Sequence, residues 1–300
     1  MGKIAFVFSG QGAQYSGMGK ELYNSSQSAK SVYDMADSIR KGTSIQCFED
    51  TAEELCQTVN TQPCVFTVDL AAARALVEKG IKPDCVAGFS LGEIAAIAFC
   101  GMLSDEEAFK LVCKRGELMD KAANANPGAM VAVLKLPAET VEEICKKFDK
   151  TYPVNYNSAA QTVVATTDEA ADKLCEAIKE AGGTAKKLAV SGAFHSPFMA
   201  DAANGLAEYL KNVEFSEPEI PIYSNYTAQP YEGDYKALVK AQVENPVRWQ
   251  KIVENMVESG VDTFIEVGVG KTLMNLIKRI NPDVKKFKFE VPSDFDKISI

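Results

Sequence analysis

Apolar residues come along this chain in two rhythms, short unbroken runs and longer stretches with a beat of three to four, and the two alternate. The first run, KIAFVF at 3–8, predicts a buried strand ending in the glycine-rich turn Ser9-Gly10-Gln11-Gly12. Residues 64–79 have the length and density of an apolar-rich helix, 85–89 those of a second buried strand, and 91–100 those of a helix starting directly after Ser90. A further helix is expected at 105–123, with Asp105, Glu106 and Glu107 in its first turn, where the helix dipole favours acids. Strands spaced by helices in this way predict a mostly parallel, three-layer α/β core.

The pattern changes between 129 and 190. It reads strand (129–135), helix (138–149), strand (152–157), strand (161–166), helix (168–181), strand (185–190), and this βαββαβ order is that of a ferredoxin-like unit. The Asn-containing stretch Ala122–Gly128 is its expected entry hinge. Afterwards come a helix near 197–211, a strand at 220–225, a helix at 247–259, a strand at 263–267 and a last helix at 271–279. Residues 285–300 show no helical period and are expected to form a loosely packed tail. The fold class expected is α/β, a hydrolase-like core with a mostly parallel sheet plus an inserted ferredoxin-like small domain. The core is assigned to 1–126 and 193–300 and the insertion to 127–192.

Composition narrows the function classes. Hydrophobic residues make up 46% and charged residues 24%, the balance of a soluble globular protein. No apolar run approaches the roughly 20 residues of a membrane span, and MGKIAFVFSGQG reads as a first strand rather than a leader. The net charge of −9 argues against nucleic acid as a partner. Eight cysteines without a CxxC pair suit free thiols in a reducing cytoplasm better than disulfides or a zinc site, so no metal is expected.

The chemistry gathers around GFSLGE at 88–93. Gly88-x-Ser90-x-Gly92 is the spacing of a strand-to-helix elbow, in which a strained serine tolerates only tiny neighbours two residues away. A serine nucleophile needs a base poised near neutral pH, and His195 is the only histidine in the chain. It lies in the small-residue turn SGAFHS, directly after an expected strand, where α/β proteins tend to carry catalytic groups. An oxyanion hole needs backbone amides. Leu91, next to the nucleophile, offers one, and Gln11, between Gly10 and Gly12, offers another.

The motifs GQGAQ (10–14), GFSLGE (88–93), RGELM (115–119), GAM (128–130), NYNS (155–158), SGAFHS (191–196), NPVRW (245–249) and EVGVGKTL (266–273) stand in this order. Over about residues 3 to 280 the chain resembles the malonyl-CoA:acyl-carrier-protein transacylase family and the related acyltransferase domains of polyketide synthases. The resemblance implies ping-pong transfer: Ser90 attacks malonyl-CoA with His195 as base, and the phosphopantetheine thiol of acyl carrier protein then takes the malonyl group. It implies no cofactor, since malonyl-CoA is substrate and the phosphopantetheine arrives on the carrier. It places the orientation of His195 on the main-chain carbonyl of Gln242 and the oxyanion on the amides of Gln11 and Leu91. Arg115 is implied to grip the free malonyl carboxylate, for which a planar guanidinium suits well. Phe194, Met119 and Met130 are implied as pocket walls, and Asn155, Asn157 and Gln161 as lining of the coenzyme A and pantetheine cleft. Two positions depart from the pattern: Phe89 stands where the family usually has His, and Val269 where it usually has Pro.

Acyl carrier proteins are acidic, and so is this chain, so docking requires a local basic patch. Lys186 and Lys187, with Lys271, Lys278 and Arg279, are the candidates. An acyltransferase of the same fold serving a polyketide synthase or malonate decarboxylase, a serine acyl hydrolase and a non-enzymatic binding module are the alternatives. Arg115 argues for transfer over hydrolysis, and the combined serine, histidine and oxyanion loops argue against a mere binding module.

Overall fold

The computed structural model describes residues 2–190 and 192–300, so Ser191, the first residue of the SGAFHS motif, lies outside the described residues. The described strands are β1 (Lys3–Phe8), β2 (Cys85–Gly88), β3 (Ala129–Leu134), β4 (Tyr152–Ser158), β5 (Gln161–Thr166), β6 (Thr184–Lys187), β7 (Ile222–Tyr223), β8 (Val261–Val267) and β9 (Lys285–Phe289). Five of them form a wholly parallel sheet in the order β7-β2-β1-β8-β9. Its central strand β1 carries Ala5, Phe6, Val7 and Phe8 at 0% exposure, as a parallel strand covered by helices on both faces must. Phe8 pairs with Gly88 on one side and Val267 on the other, so three strand ends finish level. The loops after β1, β2 and β8 therefore share one edge of the sheet, where open α/β folds place their sites.

The other four strands form an antiparallel sheet in the order β4-β5-β3-β6, the ferredoxin-like arrangement expected from the βαββαβ pattern. The helices Ala138–Cys145 and Asp168–Glu180 close a core of their own against it, with Val131, Val133, Val164, Leu174 and Ile178 buried between them. The small sheet is stitched to the larger unit by Val247 of the NPVRW stretch. Its amide donates to the Val154 carbonyl at 2.8 Å, and its carbonyl accepts from Tyr156 at 2.9 Å.

Some expectations need correction. Residues 285–300 are not a loose tail: Lys285–Phe289 is the fifth parallel strand, with Phe289 at 0% exposure, followed by a short 3₁₀ turn at Pro292–Lys297. An edge strand alternating lysine and phenylalanine carries no helical signal and too few apolar residues to read as a strand. Between residues 13 and 57, where the sequence pattern predicts no element, the chain forms the helices Lys20–Ser25, Gln27–Ile39, Thr43–Glu49 and Ala52–Cys56. The helix expected from 64 starts at Thr58, with Pro63 in its second turn hiding the true start. The helix expected at 138–149 stops at Cys145 and the strand expected at 185–190 stops at Lys187. The expected hinge is helical as far as Ala125, and the helix Tyr235–Glu244 was not anticipated.

Candidate active site

The turn out of β2 is a strained elbow. Ser90 sits at φ 56° and ψ −110°, a backbone state that side chains rarely adopt. Tight packing imposes it: a Cβ on Gly88 would lie 2.0 Å from the Gly92 carbonyl carbon, and one on Gly92 would lie 2.4 Å from the carbonyl oxygens of both Phe8 and Ser9. Asn225, just after β7, clamps the turn. Its Oδ1 accepts from the Ser90 amide at 2.7 Å and its Nδ2 donates to the Gly88 carbonyl at 2.6 Å. Strain at Ser90 is thereby offset by hydrogen bonds to both sides of it.

His195 stands opposite, also with positive φ (58°) and 3% exposed. Its Nε2 lies 2.7 Å from Ser90 Oγ, and its Nδ1 lies 2.9 Å from the main-chain carbonyl of Gln242. A carbonyl can only accept, so the proton belongs on Nδ1, and Nε2 presents its lone pair to the serine hydroxyl. Burial, reinforced by the charge of Arg115, pushes the His195 pKa down to about 4, so the imidazole is neutral at pH 7 and ready to take a proton.

Arg115, on the helix Asp105–Ala125, is 1% exposed and reaches the same spot. Nη1 donates to Gln62 Oε1 at 2.8 Å, and Nη2 donates to Gln242 Oε1 at 2.8 Å and to Ser90 Oγ at 3.2 Å. Among the described residues it has no carboxylate partner, and its Nε is buried without any partner. Burial lowers its pKa to about 10, which still leaves it charged. A buried cation whose direct hydrogen-bond partners are two side-chain amides and a hydroxyl has no opposite charge in contact with it, which suits it to an anionic group.

These groups line a pocket of about 100 Å³ with Gln11, Gln62, Phe89, Leu91, Met119, Met130, Asn155, Phe194 and others. Among the described residues, the Gln11 and Leu91 amides donate no hydrogen bond. The loop carrying Gln11 is tied down by Ser9, whose hydroxyl donates to buried Asp69 at 2.9 Å, while Asp69 also accepts from the Val269 amide at 3.1 Å. A second, larger cleft of about 390 Å³ continues between the Gln11 loop and the small sheet, lined by Asn155, Asn157 and Gln161. The Oδ1 atoms of Asn155 and Asn157 are buried without partners, so the cleft offers acceptors. Phe89 and Asn155 line both spaces, and the Phe89 ring packs on Trp249 at 5.7 Å between centroids.

The basic candidates are dispersed. Lys186 and Lys187 are exposed on β6, with Lys187 paired to Asp172 at 2.8 Å. Lys271 and Lys278 are exposed at the two ends of the helix Thr272–Ile280, and Arg279 donates to Gln161 at 2.5 Å. Sequence reasoning passed over Gln62, Glu93, Asn225 and Tyr231. The available signal was a polar residue inside an apolar helix, which Gln62 and Glu93 both show; Asn225 and Tyr231 carry no such mark. All eight cysteines are free, and no cluster of His, Cys, Asp and Glu among the described residues could hold a metal ion. No helix among them is long and apolar enough to cross a membrane.

Fold and geometry together are those of an acyl-transfer protein. The family model for the acyl transferase domain matches residues 5–288, and the chain belongs to that family. The malonyl CoA-acyl carrier protein transacylase of Bacillus subtilis (strain 168) is 38% identical over 304 aligned positions, spanning 99% of this chain and 96% of that protein. A solved structure of the malonyl CoA-acyl carrier protein transacylase of Clostridium perfringens superposes with a TM-score of 0.95 at 37% identity, covering 98% of this chain and 95% of the other. A chain from a complex described as a type II PKS acyl-carrier protein with its malonyl-transacylase gives a TM-score of 0.94 at 32% identity, covering 98% of both chains.

Proposed function

We propose that this chain is an acyl-carrier-protein S-malonyltransferase that supplies malonyl groups to fatty-acid synthesis from malonyl-CoA. The observation that carries the reading is the buried, carboxylate-free Arg115 with Nη2 only 3.2 Å from Ser90 Oγ. An acyl group held on Ser90 with a carboxylate on its far end meets that guanidinium. An acetyl group leaves it empty.

The contacts support the following steps. Ser90 Oγ attacks the thioester carbonyl while His195 Nε2 takes its proton, and the Gln11 and Leu91 amides receive the oxyanion. The tetrahedral adduct collapses, the C–S bond breaks, and His195 returns its proton to the leaving coenzyme A thiolate. The malonyl-Ser90 ester then undergoes the reverse sequence with the carrier's phosphopantetheine thiol, and no bound cofactor takes part. Phe194, Met119 and Met130 wall the acyl pocket, and Asn155, Asn157 and Gln161 receive the pantetheine arm in the adjoining cleft. We assign the carrier's docking to Lys186, Lys187, Lys271, Lys278 and Arg279, the small domain to 127–192, and the location to the cytoplasm, where eight free thiols stay reduced.

Incubation with malonyl-CoA, with and without holo acyl carrier protein, tests the reading. Malonyl-carrier and free coenzyme A in equal amounts are expected. Release of malonate at the same rate without the carrier would make the protein a hydrolase, and binding without turnover would leave it a binding module.

A further inference from the structure

Beneath the nucleophile lies an acid that the transfer chemistry leaves unused. Glu93, on the helix Leu91–Phe99, is 1% exposed. Tyr231 donates its hydroxyl to Glu93 Oε1, the Asn225 amide donates to Oε2 at 2.9 Å, and Gln242 Nε2 approaches Oε2 at 3.4 Å. The other end of the same Gln242 side chain, Oε1, accepts from Arg115 Nη2 at 2.8 Å. A buried acid and a buried base are thus joined through one amide. A direct ion pair would occupy the guanidinium and leave nothing for a substrate carboxylate. The intervening amide keeps a compensating charge close while the guanidinium stays open.

We propose that Glu93 is a positioning residue that balances Arg115 through Gln242 and so sets how strongly the site favours an acyl group carrying its own carboxylate. The proposal rests on the malonyl-transfer reading above. Its physical content is a competition: the Glu93 charge makes a buried, unpaired Arg115 tolerable, and it also repels the second carboxylate that a malonyl group brings. Removing that charge therefore tightens the site for malonyl and leaves an uncharged acyl thioester unaffected.

The test is Glu93→Gln, which keeps the shape and removes the charge, with KM for malonyl-CoA and the inhibition constant of acetyl-CoA as readouts. The malonyl KM is expected to fall by about three- to tenfold, with the acetyl-CoA constant unchanged. Equal changes in both constants would show that Glu93 only braces the fold, and would overturn the proposal. Should the variant not fold, the wild-type enzyme supplies the same comparison. Burial holds the Glu93 pKa up at about 7. The titratable groups facing it are Tyr231 and Arg115, with Cys100 behind Tyr231 and His195 beyond Arg115. Tyr231 is held well above 10.0, Arg115 lies at about 10, Cys100 at about 12 and His195 at about 4, so Glu93 alone in this cluster changes charge near neutrality. The malonyl-to-acetyl ratio of constants should then fall as the pH is lowered from about 8 to about 6, and a ratio that stays flat overturns the proposal. A wild-type enzyme that moves no malonyl to carrier protein sinks the transfer reading itself. One that does, with the ratio unmoved, sinks only the role of Glu93.

Discussion

Gln242 holds His195 by its backbone while it holds everything else by its side chain. Its carbonyl accepts from His195 Nδ1 at 2.9 Å, its Nε2 donates to the Ser90 carbonyl at 2.7 Å, and its Oε1 accepts from Arg115. Among the described residues no carboxylate touches the imidazole. A neutral carbonyl fixes the tautomer without adding a third charge to a region that already buries Arg115 and Glu93.

Loss of Arg115 separates recognition from chemistry. Arg115→Ala is expected to lower kcat/KM for malonyl-CoA by the equivalent of about 2–5 kcal/mol, while acetyl-CoA turnover is retained or rises. Steady-state kinetics with both thioesters decide it. An unchanged preference for malonyl-CoA would remove Arg115 from substrate binding.

Because burial keeps the His195 pKa at about 4, kcat should not begin an acid fall at the ordinary histidine pKa of 6.5. The acid limb is expected below about pH 5. Stability moves with the same group. The unfolded chain protonates this histidine at about 6.5 and the folded one only at about 4, so its contribution is whole above pH 6.5 and lost as pH falls toward 4. An activity profile falling with a midpoint of 6.5 would show that the imidazole is not desolvated.

Gly92→Ala tests the elbow. Its new methyl would lie 2.4 Å from two backbone oxygens that cannot move without displacing β1. A destabilisation of about 3 kcal/mol or more is expected in urea unfolding, with activity lost alongside. A variant as stable and active as the parent would mean that the elbow is looser than its contacts imply.

The last strand is expected to matter as much as a core element. Phe289→Ala removes a fully buried ring from β9 and should cost about 3–5 kcal/mol. Tyr15, four residues from Gln11, donates its hydroxyl to Glu290 at 2.8 Å, so loosening this end should also slow acyl transfer. Thermal unfolding and turnover of the variant would show both, and a shift in Tm within error would return residues 285–300 to the status of a tail.

Much of this protein could be read from residue order alone. The apolar runs at 3–8 and 85–89 and the βαββαβ pattern mark both sheets, because strand and helix periods are local properties of a chain. Gly88, Ser90 and Gly92 mark the elbow because steric exclusion acts over two residues, and one histidine leaves one choice of base. Where that histidine finds its partners is another matter. Gln242 and Asn225 come from helices and turns more than a hundred residues from Ser90, and Glu93 becomes a buried acid facing Tyr231 only when those segments pack. The short polar helices before residue 57 and the strand Lys285–Phe289 also escaped, since what stabilises them is a neighbouring surface rather than their own pattern. Local sterics and periodicity were written in the sequence. Burial, and with it the charge states of His195, Arg115 and Glu93, was decided by the tertiary structure, because desolvation depends on everything that surrounds a group and not on its neighbours in the chain.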